Sequence, residues 1–211
     1  MKRIAPTTML PGEAAADARV AGNSRLTAIT GVCLLALFAA QIVTVVLGVT
    51  SVLSAHVVIG TVLMPVVGVK ILSTGWRIVH YYRGDRDVRR AGPPRMYFRI
   101  LGPLLTILTV VLLASGSTAF LGTGVWASAA LLAHKATFYL WLIAVSMHAV
   151  PHYSRAVRLA VADIFRRTGL RVSGARARRG VLIAALATGA GLAPLMARHC
   201  AEYLLRYSGH L

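Results

Sequence analysis

The sequence predicts an all-α integral membrane protein, a bundle of five spanning helices. Three observations carry that prediction. Hydrophobic residues make up 57% of the 211, above the roughly 45–50% of soluble domains, and the mean hydropathy is +0.70. Stretches 27–53 and 101–133 hold no charged residue, and apolar runs longer than about 18 residues are transmembrane candidates. The net charge of +17 is concentrated in three groups, at 2–25, 77–99 and 155–179. A charge of that size raises nucleic-acid binding, but here it lies between apolar spans and reads as topology, so no nucleic-acid partner is expected.

The elements follow in order. Residues 1–25 are polar and rich in Ala and Gly, lack the apolar core of a cleaved signal, and read as a loose cytoplasmic tail. Four spans, near 27–48, 53–78, 100–120 and 126–150, form a bundle over 26–153. Residues 154–179 read as a basic cytoplasmic linker, with Val157, Val161 and Ile164 at the spacing of an amphipathic helix on the inner leaflet. The plainer account of that stretch is a continuation of the fourth span that frays at Gly169. The fifth span, 180–197, opens the final section, 180–211, which ends in a short outer tail. Gly189, Gly191 and Pro194 interrupt it. Helices are required, because the strands of a membrane barrel would alternate polar and apolar faces. Gly60, Gly68, Gly102, Gly116, Ala129 and Ala133 suit close helix packing, and Pro65 removes one backbone donor from the second span.

The positive-inside rule puts all three basic groups on the cytoplasmic side. The chain is then a multi-pass protein of the cell membrane, with its amino terminus inside, its carboxyl terminus outside, and lipid as its surroundings. Arg83–Gly84–Asp85 reads as a tight turn and Gly92–Pro93–Pro94 as an extended connection. The basic segment between them would also suit an acidic partner or anionic lipid.

Histidines carry the candidate chemistry. In LLAHKATFYLWLIAVSMHAVPHY, His134 and His148 stand 14 residues apart, about 21 Å along a helix and within about 40° of one face. His56 opens the second span at the depth of His134, on a helix running in the same direction. Two neutral imidazoles facing each other across a bundle form a bis-histidine site for heme iron. Fourteen residues beyond His56 stands Lys70 rather than histidine. An ammonium there costs about 2.5–3.5 kcal/mol at mid-helix; it can snorkel to the headgroups, pair with a heme propionate or act as an unusual ligand. His148 is a candidate for a second heme. His148 and His152 also have the i, i+4 spacing of a metal pair, with no acid or cysteine beside them. Cys33 and Cys200 form no C-x-x-C motif, which argues against a zinc site or covalent heme.

The stretch HVVIGTVLMPVVGVKILSTGWRIVHYYRGDRDVRRAGPP, with HKATFYLWLIAVSMHAVPHY, resembles a bacterial family of cytochrome b/b6-domain membrane proteins and the membrane cytochrome b subunits of respiratory and hydrogenase complexes. In the diheme pattern, two helices each bring two histidines with 13 residues between them. His134 and His148 match it in full, while the second span matches at His56 and departs at Lys70. The resemblance implies a four-helix heme-binding core plus a fifth span, heme b as cofactor, and electron relay between a quinone pool and a partner redox subunit. Six acidic residues, none within a span, leave nothing for a hydrolase. The rival reading is a cofactor-free anchor, assembly factor or small transporter, in which Lys70 and the histidines line a path.

Overall fold

The computed structural model describes residues 11–90, 96–165 and 172–208, and of 11–17 and 207–208 the backbone only. The helices are α1 (Pro11–Val46), α2 (Leu53–Tyr82), α3 (Arg86–Arg90), α4 (Met96–Leu121), α5 (Gly124–Ile164), α6 (Ala175–Ala197) and α7 (Cys200–Ser208). Among the described residues there is no strand. Five helices, α1 from Ala18 onward and α2, α4, α5 and α6, are long and apolar enough to cross a membrane. The chain is an all-α bundle and a multi-pass membrane protein.

The five expected spans coincide with these helices, with three differences. Residues expected as a loose tail are helical from Pro11, continuous with α1. The fourth span continues past 150: α5 runs through Pro151 to Ile164 over 41 residues, about 62 Å at 1.5 Å per residue, the continuation that the plainer account of 154–179 gave. α6 starts at Ala175, five residues before the expected fifth span. The first ten residues, the Gly92–Pro93–Pro94 connection, the fraying point at Gly169 and His210 lie outside the described residues.

α1 packs between α2 and α5, and α4 packs along α5, while α2 and α4 touch only sparsely. α2 and α5 therefore face each other across the diagonal of a four-helix bundle. α6 lies outside it along α2. The interior is filled by Leu34, Leu63, Val66 and Val67 with Ala185 of α6. Trp141, 2% exposed, meets Phe38 at 4.5 Å between ring centres and donates its indole N–H to Thr109 Oγ1 at 3.0 Å.

One of the two glycines that interrupt the fifth span, Gly189, has a structural reason. A Cβ at Gly189 would stand 2.6 Å from Val62 Cα, so a residue without a side chain lets α6 close onto the α2 backbone. Gly116 and Gly60 likewise sit against neighbours, but Gly68 and Gly102 have nothing within 4 Å and are not packing sites.

At the basic end, α2 closes on Gly84 at φ +86. Asp85 N–H bonds to His80 O at 3.0 Å and Gly84 N–H to Tyr81 O at 3.2 Å, the paired bonds of a Schellman stop. Asp85 then starts α3, its Oδ1 accepting from Asp87 N–H at 3.1 Å, while its Oδ2 accepts from Arg19 at 2.6 Å. Desolvation raises the Asp85 carboxyl, but the Arg19 hydrogen bond, the backbone donors and the Arg19 charge outweigh it and hold the group below the usual range. Deeper in, Asp163 at the end of α5 takes both Arg178 Nε, at 3.1 Å, and Arg178 Nη2 from α6. Arg25 of α1 is 4.0 Å away. This buried cluster ties three helices together.

Candidate functional site: a paired-histidine layer

His56 on α2 and His134 on α5 meet across the diagonal, their ring centres 6.4 Å apart and their planes at 84°. Each is oriented by its Nδ1. Thr44 Oγ1 donates to Gln41 O at 2.6 Å, so the hydroxyl has only lone pairs left for His56 Nδ1, 2.7 Å away; that nitrogen must carry the proton. His134 Nδ1 lies 2.9 Å from Leu112 O, which can only accept, so it too is protonated. Both rings are thereby fixed as the tautomer whose Nε2 keeps its lone pair. Among the described residues neither Nε2 has a hydrogen-bond partner. Gly116 completes the setting, since a Cβ there would stand 2.8 Å from His134 Cε1.

His56 lies three residues into α2 and His134 ten residues into α5, about 5 Å and about 15 Å from their helix starts. The two are level because the α4–α5 hairpin stands about 10 Å taller than the α1–α2 hairpin. α7 occupies the resulting shelf. Its Cys200 is buried against Leu53 and Phe120, Tyr203 meets Phe120 with ring centres 5.5 Å apart and planes tilted by 36°, and Arg206 Nη1 donates to Gly122 O at 3.0 Å.

Two imidazoles suit a metal that brings its own remaining ligands. Among the described residues no group of three or more His, Cys, Asp or Glu side chains could hold a bare ion, so the His148–His152 pair has no third ligand. Imidazole nitrogen sits about 1 Å from its ring centre, and two metal bonds of about 2.0–2.1 Å would put the ring centres about 6 Å apart, close to the spacing here. The 6.4 Å between ring centres is thus of the size that a metal shared by the two imidazoles would need.

The inner layer is different. Lys70 Nζ turns onto α1, donating to Thr27 O at 2.6 Å in the space left by Gly31. Thr27 Oγ1 in turn donates to Ser73 Oγ at 3.0 Å. Lys70 is thus turned onto α1 rather than outward to the headgroups. His148 stacks on His152 at 5.2 Å with Phe98 edge-on at 5.9 Å, and its buried Nδ1 has no partner. Among the described residues no second histidine faces it across the bundle. His199, by contrast, sits on the shelf helix side, 3.4 Å from Glu202.

Sequence reasoning missed Thr44, Gln41 and Trp141. Trp141 lies seven residues from both His134 and His148, a spacing that repeats one helix face, and that period was the available signal. Thr44 and Gln41 sit on a different helix, and no local pattern points to them.

Fold and layer together define a class: a multi-pass helical membrane protein with two oriented histidines across its bundle. No family model, curated protein or solved structure matches the chain.

Proposed function

We propose that this chain is a b-type cytochrome, a membrane electron-transfer subunit that holds one heme b between His56 and His134. The observation that carries the reading is the layer itself: two imidazoles level with each other, each locked by an Nδ1–H bond with Nε2 left to ligate. Neutral imidazole pinned through its other nitrogen is how proteins prepare a metal-binding histidine. A bound heme would supply the one-electron chemistry. The chain's own part is to fix both ring orientations through Thr44 and Leu112, to leave room at Gly116, and to exclude water with Phe120, Tyr203 and the α7 cover. The histidine spacing shared with membrane cytochrome b subunits supports the same reading, and with it exchange with a quinone and a redox partner subunit. On this reading the basic end faces the cytoplasm, the carboxyl terminus lies outside, and the membrane is the cell membrane. His148 offers one ligand toward a second heme, but Lys70 stands in the matching place on α2 and is engaged with Thr27, so the stoichiometry proposed is one.

The test is a dithionite-reduced minus oxidised spectrum of protein purified in detergent after expression with ample heme. A b-type α band at about one heme per chain is expected, lost in His56→Ala and in His134→Ala and kept in His199→Ala. A colourless wild-type preparation would overturn the proposal. It would favour a cofactor-free protein in which Lys70, fixed inside the bundle, serves another role.

A further inference from the structure

The basic end carries a charge imbalance that the protein does not resolve internally. Three carboxylates lie there among the described side chains, and each is met by arginine. Asp85 and Asp87 meet Arg19 at 2.6 Å and 3.6 Å, and Asp163 meets Arg178 with Arg25 behind it. What remains on the outside is cationic. Arg83 and Arg86 follow the end of α2, Arg155 and Arg158 lie on α5 beyond Pro151, and Arg176 is in the first turn of α6, all exposed. None of these five has an ion-pair partner among the described residues.

Their neighbours identify the kind of partner. Tyr82, Tyr153 and Phe165 are exposed in the same segments, so guanidinium groups alternate with aromatic faces where apolar spans end. The last turns of α5 show the sorting along one helix. Ala160, Ala162 and Asp163 are buried toward the bundle, while Tyr153, Arg155, Arg158 and Phe165 point away from it. An acidic soluble protein would call for a polar cationic face. A surface of arginine mixed with aromatic side chains, at the rim of a membrane bundle, matches the headgroup region instead. There phosphate takes two guanidinium hydrogen bonds at once and aromatic rings settle at the interface.

We propose that the basic end is a binding surface for anionic phospholipid headgroups, formed by the arginines of the α2–α3 and α5–α6 regions. The recognised chemistry is a phosphodiester carrying net negative charge at the bilayer surface. This inference is independent of the heme reading.

Full-length protein in nanodiscs of phosphatidylcholine and phosphatidylglycerol, four to one, is stripped gently and its retained lipids are counted by native mass spectrometry. Phosphatidylglycerol is expected to be enriched about fivefold or more over its share and to fall toward that share in high salt, where screening is short-ranged. The triple variant Arg155→Gln, Arg158→Gln, Arg176→Gln should lose most of the enrichment with its helical circular dichroism unchanged. The corresponding triple Lys variant should keep it, and Lys135→Gln, on the membrane span, should behave as wild type. Should the Gln variant misfold, the salt dependence of the wild-type protein decides alone. Equal retention of the two lipids, or enrichment indifferent to the Gln variant, overturns the proposal. So does a polyglutamate peptide that binds the protein in pure phosphatidylcholine nanodiscs and is not displaced when phosphatidylglycerol is added.

Discussion

Thr44 decides which nitrogen of His56 is free, and it does so through a single hydrogen. Because its hydroxyl proton goes to Gln41 O, the oxygen can only accept from the ring. Thr44→Val keeps the shape and removes that acceptor, so the ring loses both its orientation and its tautomer preference. Removing the group that holds a metal-binding imidazole through its other nitrogen typically costs 10–100-fold in metal affinity. Heme titration of apoprotein should therefore show a loss of about 10–100-fold for Thr44→Val, with Thr44→Ser close to wild type. Unchanged binding in the Val variant would show that the hydroxyl does not set the ligand. The histidine pair was legible in the sequence because His56 and His134 fall at one depth on two spans that run in the same direction. Thr44 was not, since nothing in a single chain reveals which hydroxyl on α1 stands opposite His56. Lys70 was legible as an anomaly, but its partner, a backbone carbonyl on α1, leaves no trace in residue identity.

At the level of helices, α6 shows why composition misleads. Gly189 looks like a weakness in a short span and is instead the point of closest approach to α2. Gly189→Ala pushes a methyl into the Val62 backbone, an overpacking cost of typically 1–3 kcal/mol, and should lower the thermal midpoint in detergent. Gly191→Ala, with nothing within 4 Å, should leave it level or raise it, because alanine favours helix by about 1 kcal/mol over glycine. A fall of equal size in both variants would mean that close approach is not the cause. The Asp163 cluster makes a second element-scale prediction. Asp163→Ala leaves Arg178 buried without its counter-charge, which typically costs about 3–5 kcal/mol. Adding Arg178→Met should recover a good part of that loss in the same unfolding assay, and no recovery would mean that Asp163 acts through something other than this pair. The amino-terminal extension of α1 escaped the sequence reading because it combines alanine, arginine and polar residues, whereas the extension of α5 was one of the two accounts given for 154–179. Such stretches carry no apolar run to mark them.

For the molecule as a whole, the spans were the most legible feature, since long charge-free runs admit few alternatives to a membrane helix. Orientation is a separate matter and depends on where the arginines lie. The described arginines of all three basic groups fall at one end of the bundle, the end of Arg19, α3 and the start of α6. The two turns at the other end, 47–52 and 122–123, carry none. Translocating a dense arginine group is disfavoured while an uncharged turn passes freely, so the asymmetry should fix one topology. In a background with Cys33 and Cys200 replaced by Ala, Ser51→Cys sits in the exposed α1–α2 turn and Arg86→Cys in exposed α3. A membrane-impermeant maleimide added to intact cells should label the first and reach the second only after permeabilisation. The opposite pattern would invert the topology and put the paired-histidine layer near the inner surface, where it would meet a different set of redox partners. Labelling of both in intact cells would mean that the arginine asymmetry does not control insertion.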